Sequence, residues 1–169
     1  MSTLDRIISW IEKVNIAVGK AASWLIVPMG GALVIEVVLR KVYEPTIWAM
    51  DFSTMMYGTH FYLGAAFTLY LGKHIRTDFL YDGWSPKTKA LLDAIQYILF
   101  FLPGMAIYLY VTAEFAAESW YFFEKMATTW RPPAYLYKTV IPVSALLLLL
   151  QGIVEFIKCV RIVTGRKQP

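Results

Sequence analysis

The chain has 169 residues, of which 58% are hydrophobic and 17% charged, and its mean hydropathy is +0.52. Ordinary soluble domains are less apolar and carry more charge, so this composition argues against a soluble enzyme. The single cysteine, Cys159, excludes an intramolecular disulfide framework and a cysteine metal site. The formal net charge of +4 would by itself allow a nucleic-acid partner.

Four apolar segments are long enough to cross a bilayer, because ~30 Å of hydrocarbon takes about 20 helical residues. Residues 52–71 and 94–113 contain no Asp, Glu, Lys or Arg. Residues 21–35 and 139–154 are bounded by charged side chains, which can reach the membrane interface, and we extend these two segments accordingly. The sequence predicts one all-α integral membrane domain, 1–169, with four transmembrane helices at about 16–39, 48–71, 91–115 and 136–160.

A signal peptide is the alternative interpretation of the first segment, since Arg6 and Lys13 precede it. The segment is longer than a typical signal-peptide core, and no small-x-small cleavage site follows it before Glu36, so we expect a retained helix. Glu36 itself resembles the proton-coupling carboxylate of a small exporter, but it lies near the outer end of the helix. We therefore favour a role at the membrane interface.

The basic residues predict that both termini are cytoplasmic. This orientation places eleven Lys and Arg residues inside and five outside, as the positive-inside rule requires. The five outer residues are Arg40, Lys41, Lys125, Arg131 and Lys138. Anionic lipid headgroups then account for the basic charge, and we expect membrane lipids rather than nucleic acid as partners.

Small residues recur every seven positions in the second helix, at Gly58, Ala65 and Gly72. Small side chains let helices approach closely in lipid, so this face is predicted to be a packing seam. His60 lies at mid-span, where a polar residue is a candidate functional group. An interhelical hydrogen bond is the favoured interpretation of His60.

A haem site is the redox alternative, and it depends on the two histidines of the chain, His60 and His74. Fourteen residues on one helix separate them by about 21 Å, so they cannot bind the same iron. We expect no cofactor and no metal in this chain.

Between the second and third helices lies a polar stretch, residues 73–82. If it is helical, His74 and Asp78 are one turn apart, and the apolar residues between them can face lipid or protein. An amphipathic segment at the interface is predicted, and a solvated connector is the alternative.

The third helix is predicted to begin at Ser85-Pro86, as N-cap and first helical residue. Its pattern continues past the membrane through Glu114 and Glu118 to residues 120–123, so it is expected to project beyond the bilayer. The following outer loop contains Trp130, Arg131, Pro132 and Pro133, in which the prolines stiffen the start of the fourth helix. A rigid loop with Trp and Arg suits protein contact. Three tryptophans are expected to anchor the protein at the interfaces, Trp24, Trp84 and Trp120.

Three motifs resemble the small membrane subunit of tripartite ATP-independent periplasmic (TRAP) transporters. They are Arg40 through Trp48 to Asp51, the Gly-Ala-Ala at residues 64–66, and the His-x-Arg-x-Asp of His74, Arg76 and Asp78. The resemblance covers most of the chain and fits four helices with both termini inside. The family usually has Glu where this chain has Asp51, and Arg40 is the candidate partner of that carboxylate.

The resemblance implies a non-catalytic scaffold in the inner membrane of a bacterium or archaeon. In such a system a large membrane subunit holds the substrate and sodium sites and moves as an elevator, while a periplasmic binding protein delivers an organic anion. A role in contacting the large subunit, or else a structural role, is then expected for Arg40, Trp48, Asp51, the Gly58 seam, His60 and the segment from His74 to Asp78. The loop from Trp130 to Pro133 is the docking candidate for the binding protein. The alternatives are a self-sufficient small exporter and a membrane anchor of a redox enzyme.

Overall fold

A computed structural model of the chain describes residues 3–72 and 83–165. Its regular elements are helical, and a single isolated antiparallel bridge pairs Lys125 with Pro133 in the described part. A π-helical turn, Tyr97–Phe101, joins the fourth helix to the fifth. Within those described ranges the six α-helices are α1 Thr3–Ser23, α2 Ile26–Val42, α3 Ala49–Tyr70, α4 Pro86–Gln96, α5 Leu102–Tyr121 and α6 Ala134–Val163.

Three helical stretches among the described residues are long and apolar enough to cross a membrane: Thr3–Val42, Pro86–Tyr121 and Ala134–Val163. Helix α3 has 22 residues and is therefore also long enough, at roughly 33 Å. Its Ser, Thr, Tyr, Gly and His residues keep it below the apolarity of the other three. The all-α fold with apolar helices long enough to span a membrane is confirmed, whereas the four-helix topology, with its crossing by α3, and the cytoplasmic position of both termini stay predictions.

The first predicted span, 16–39, corresponds to parts of two helices that meet at a break. Helix α1 ends at Ser23 and α2 begins at Ile26. Pro28 explains the break, because it has no N–H to donate to the Trp24 carbonyl and its ring collides with that carbonyl in a regular helix. The Trp24 carbonyl instead accepts a hydrogen bond from the Val27 N–H at 3.2 Å, which tightens the turn.

The start of α4 confirms the predicted N-cap. Ser85 is the N-cap, its hydroxyl oxygen accepts a hydrogen bond from the Thr88 N–H at 3.2 Å, and Pro86 is the first helical residue. The π-helical turn ends two residues before Pro103, and at its end the Leu102 N–H donates to the Tyr97 carbonyl. The wider turn accommodates a residue that cannot donate to the helix ladder.

Helices α3 and α6 form the centre of the packing. Helix α6 contacts α1, α3, α4 and α5, and α3 also contacts α1 and α2. Glycines lie at three of the close approaches. A Cβ atom added at Gly19 of α1 would lie 2.4 Å from the Phe67 Cβ of α3. One added at Gly152 of α6 would lie 2.1 Å from the ring of Phe101, so that ring packs directly on the α6 backbone.

The predicted small-residue seam of α3 is present only in part. Gly58 does face another helix, since a Cβ atom there would collide with the Tyr137 hydroxyl of α6. Ala65 is half-buried on the same helix. Gly72 does not belong to the seam: it lies beyond the last helical residue, Tyr70, at φ +65°, and a Cβ atom added there would have no atom within 4 Å. Its role is to end the helix, because glycine adopts a left-handed conformation without steric cost.

Candidate functional site

A row of polar side chains crosses the interface between α1 and α6, and we call it the inner polar ladder. On each helix its members are three, four or seven residues apart, so they share one face. The ladder consists of Asp5, Glu12 and Asn15 on α1 and Gln151, Glu155, Lys158 and Arg161 on α6.

The deep end of the ladder is a chain of hydrogen bonds between amides and charges. The Asn15 Nδ2 donates to the Gln151 Oε1 at 2.7 Å, and the Gln151 Nε2 donates to the Glu155 Oε1 at 2.9 Å. The Lys158 ammonium lies 2.9 Å from Glu155 and 2.6 Å from Glu12. Asn15 and Gln151 are 1% and 0% exposed. Polar groups removed from water are costly unless they are paired, so these contacts favour one register of α1 against α6.

The shallow end of the ladder is an ion pair. The Arg161 guanidinium lies 2.8 Å from the Asp5 carboxylate, and both side chains are largely covered. The Tyr70 ring, at the end of α3, lies 5.7 Å from the Lys158 ammonium. Three helices therefore converge on the charged part of the ladder.

Sequence reasoning missed the inner polar ladder as a unit. Gln151 interrupts the long apolar run of α6, and Glu155 and Lys158 follow it at helical spacing. That spacing was a usable signal that α6 has a polar stripe. The matching stripe of α1 lies before the predicted span, where polar side chains are expected to be exposed to water.

A second polar cluster lies toward the C-terminal end of α2. Glu36, 5% exposed, accepts hydrogen bonds from Arg40 at 2.7 and 3.2 Å. Its second carboxylate oxygen accepts from the Thr46 N–H at 2.9 Å and from the Thr46 hydroxyl. Glu36 thus ties α2 to the loop that leads into α3, and charge-assisted bonds of this kind stabilise a carboxylate in its ionised form.

This cluster corrects the expected partner of Asp51. Arg40 pairs with Glu36, one helical turn away, and not with Asp51. The Asp51 Oδ2 and the Ser53 hydroxyl are buried without a hydrogen-bond partner in the part of the chain that the structure describes. Asp51 is in the first turn of α3, where the helix dipole favours a negative charge. Trp48 precedes that turn and packs edge-on against Phe52, with ring centroids 6.1 Å apart.

His60 contacts the break between α1 and α2. Its Nδ1 lies 3.0 Å from the carbonyl oxygen of Ala22 and donates to it. The same carbonyl accepts from the Leu25 N–H at 3.0 Å, in a three-residue turn. His60 therefore joins α3 to the interrupted backbone of the first span. A backbone carbonyl at such a break needs a hydrogen-bond donor from the protein, because the hydrocarbon of the membrane has none.

His74, Arg76 and Asp78 lie outside the described residues, as does the whole predicted interfacial segment. Of the expected tryptophan anchors, Trp24 and Trp84 are 74% and 46% exposed. Trp120 is held more firmly: its Nε1 donates to the Thr139 hydroxyl at 2.8 Å, and its ring lies 4.6 Å from that of Tyr135.

The outer loop between α5 and α6 is closed by backbone hydrogen bonds. The Met126 N–H donates to the Pro132 carbonyl and the Ala134 N–H to the Glu124 carbonyl, each at 2.9 Å. At the tip, Arg131 has a φ of +52°, and its N–H donates to the Thr128 hydroxyl at 3.3 Å. Trp130 and Arg131 are exposed, Pro132 is buried and Pro133 is half-buried directly before α6. The loop is a defined hairpin that presents Trp130 and Arg131 outward.

A cleft of about 290 Å³ lies at the base of this loop, and we call it the outer cleft. Lys138 crosses it, with its ammonium 3.9 Å from the centroid of the Phe115 ring and bonded to the Glu124 carboxylate. The bond from Lys138 lowers the pKa of Glu124, and the nearby Ser119 hydroxyl adds to that effect. The lining residues are Phe115, Glu118, Ser119, Phe122, Glu124 and Lys138.

Among the described residues, no group of three or more His, Cys, Asp or Glu side chains is arranged to hold a metal ion. Among the described residues, the polar groups within the helical bundle are mostly paired with one another, and one open polar space lies at the outer loop. This arrangement suits a protein that holds a shape and contacts other chains.

Comparison with known families agrees with that description. The sequence model of the tripartite ATP-independent periplasmic transporters, DctQ component, matches residues 29–162, which is most of the chain. The chain belongs to this family. It is therefore the small membrane component of a TRAP transporter, and its system also includes a large membrane subunit and a periplasmic binding protein. No curated protein and no solved structure shows significant similarity to the chain.

Proposed function

We propose that this TRAP subunit is a static, non-catalytic scaffold for a large subunit that moves as an elevator. The transporter is driven by sodium, imports an organic anion such as a carboxylate, and lies in the inner membrane of its cell. Substrate and sodium bind in the large subunit, and the exposed outer loop helps to dock the binding protein.

The inner polar ladder is the observation that supports the scaffold role. The ladder joins α1 to α6 through one hydrogen bond between amides and two ion pairs, so separating these helices would break all three contacts. Such separation is costly, which favours a bundle that stays closed during transport. A subunit that opened around a substrate would need these groups to exchange partners.

The direct test is reconstitution of the small and large subunits in liposomes, together with the binding protein. The transported substrate is chosen as the organic acid that most raises the melting temperature of the binding protein, from a panel of mono- and dicarboxylates. Uptake should require both membrane subunits, the binding protein and an inward sodium gradient. Uptake or efflux by the small subunit alone would contradict the proposal and favour the exporter, and a haem absorbance band would favour the redox anchor.

Substitution of Glu36 distinguishes the proposed scaffold from a proton-coupled exporter. In the scaffold, Glu36 only joins α2 to Thr46, so Glu36→Gln should lower thermal stability while the assembled transporter keeps its uptake. Thr46→Val is the matched variant, because it removes a bond to Glu36 and keeps the carboxylate. Loss of uptake in an intact Glu36→Gln complex, with normal uptake in Thr46→Val, would contradict the proposal.

Docking of the binding protein is proposed at Trp130 and Arg131, which the outer hairpin presents to solvent. Trp130→Ala and Arg131→Glu should weaken binding of the substrate-loaded binding protein to reconstituted transporter, without loss of membrane assembly. Lys41→Glu is the matched charge reversal, at an exposed position in the last turn of α2. Equal binding in all variants would exclude the loop from docking.

Association with the large subunit is proposed to involve the segment from His74 to Asp78. The double change His74→Ala and Asp78→Ala should reduce co-purification of the large subunit in detergent. Normal co-purification would remove that segment from the proposed interface.

A further inference from the structure

The charged side chains that line the outer cleft do not neutralise one another. Two carboxylates, Glu118 and Glu124, and one ammonium, Lys138, line it, so its lining has one negative charge in excess. Glu124 and Lys138 bond to each other. Glu118, on the exposed side of α5, supplies the excess charge.

A second group in the outer cleft also has hydrogen-bonding capacity to spare. Ser119 is 2% exposed and lines the cleft, yet its hydroxyl makes no hydrogen bond of regular geometry, although it lies close enough to Glu124 to lower the pKa of that carboxyl. Even if the hydroxyl donates to Glu124, its oxygen still has lone pairs to accept with. A buried hydroxyl without a full set of partners costs free energy, and most such groups in proteins are bonded to protein or to a bound molecule. The hydroxyl oxygen and the Glu118 carboxylate together offer acceptors for a cation that has several N–H donors.

The face of α5 that leads into the cleft is apolar. Ile107, Val111 and Phe115 are 66%, 54% and 44% exposed, and they lie four residues apart on one side of the helix. Glu118 continues that side, three residues beyond Phe115. A single helix face therefore runs from the predicted depth of the hydrocarbon to a polar cleft at the predicted level of the headgroups.

We propose that the outer cleft binds the headgroup of a phospholipid with a primary ammonium, phosphatidylethanolamine, whose acyl chain lies along Ile107, Val111 and Phe115. The ammonium donates to the Glu118 carboxylate and the Ser119 hydroxyl. The lipid phosphate lies toward Lys138, the cation of the cleft. An anionic headgroup would meet the excess negative charge, and a choline headgroup has no N–H to donate to these acceptors.

The lipid would have a structural consequence for the outer loop. Phe115 and Lys138 both line the cleft, and Lys138 is bonded to Glu124, whose carbonyl accepts from Ala134 at the base of the loop. A bound headgroup would fill the space beneath the hairpin that carries Trp130 and Arg131. The site is thus a lipid brace for the loop, and it is independent of which substrate the transporter carries.

The test uses the small subunit purified with its large subunit from liposomes that contain either phosphatidylethanolamine or phosphatidylcholine, each mixed with phosphatidylglycerol. After delipidation in detergent, native mass spectrometry counts the phospholipids retained by the small subunit. The wild type should retain one phosphatidylethanolamine and no phosphatidylcholine. Glu118→Gln should reduce retained phosphatidylethanolamine on the order of tenfold, and Ser119→Ala should reduce it less.

Glu114→Gln is the matched control, because Glu114 is an exposed carboxylate one turn earlier on α5 that does not line the cleft. It should retain phosphatidylethanolamine as the wild type does. Equal retention by wild type and Glu118→Gln, an equal loss in Glu114→Gln, or equal retention of phosphatidylcholine would each overturn the proposal. If Glu118→Gln instead left lipid retention intact and weakened binding of the binding protein, the cleft would be a pocket for a basic side chain of that protein.

Discussion

Asn15 on α1 donates a hydrogen bond from its side-chain amide to the side-chain oxygen of Gln151 on α6, and both residues are almost completely buried. They are 136 positions apart in the sequence, so this bond joins the beginning of the chain to its last helix. Around it, the inner polar ladder fixes the relative register of α1 and α6.

Gln151→Leu should destabilise the bundle by about 1–2 kcal/mol, because the Asn15 amide loses its acceptor while it stays buried. Glu155 keeps Lys158 in this variant. The double variant Asn15→Leu, Gln151→Leu removes both members and should recover part of the loss. Equilibrium unfolding in mixed micelles measures these variants and the single variant Asn15→Leu. If the double variant is destabilised relative to the wild type by the sum of the two single effects, the two residues are not coupled.

Close packing of α1 on α3 predicts a strong effect at Gly19. A Cβ atom there would lie 2.4 Å from the Phe67 Cβ, an atom that cannot move away without its backbone. Gly19→Ala should therefore cost about 1–3 kcal/mol. Gly64→Ala is the matched control, since no atom lies within 4 Å of the added methyl group, and it should leave stability unchanged or slightly raised. Similar unfolding free energies for the two variants would contradict the observed packing.

The ion pair of Glu124 and Lys138 predicts how the outer loop responds to acid. The pKa of Glu124 is lowered chiefly by the bond from Lys138, so its contribution to stability is present above the ordinary value of 4.5 and is lost as the pH falls through the lower folded-state pKa. The melting temperature of the wild type should then fall more between pH 7 and acid conditions than that of Glu124→Gln, whose side chain does not titrate. An identical acid response in both proteins would exclude this ion pair as a contributor.

The sequence predicts the helical membrane architecture well, because long apolar runs and a local N-cap need little tertiary information. The Ser85-Pro86 start of α4 depends only on neighbouring residues and is confirmed. The break at Trp24 has a visible cause in Pro28, but its size depends on the contacts that the freed carbonyls find, including that of Ala22 with His60. These contacts are not local in the sequence.

The candidate site was less predictable for the same reason. Arg40 had three carboxylates near it in the sequence, Glu36, Glu44 and Asp51. Its pairing with Glu36 goes together with the path of the loop at Thr46, whose N–H also donates to Glu36. The left-handed backbone conformation of Arg131 could not be predicted, because glycine is the usual sequence signal for that conformation and Arg131 is not a glycine. The inner polar ladder required knowing that α1 and α6 lie side by side, a relationship that hydropathy does not give.

The central claim is that the small subunit stays rigid while its large partner moves, and cross-linking within the small subunit tests it most directly. Asp5 and Arg161 are replaced by cysteine in a Cys159→Ala background, and a reducible cross-linker joins α1 to α6 in the reconstituted transporter with a large subunit free of reactive cysteines. We predict that the rate of sodium-driven uptake is the same before cross-linking, after cross-linking and after reduction. The control is the single variant Asp5→Cys treated with the same reagent, whose uptake should likewise not change. Uptake that is lost on cross-linking and restored by reduction would show that α1 and α6 move during transport, and would contradict the scaffold role.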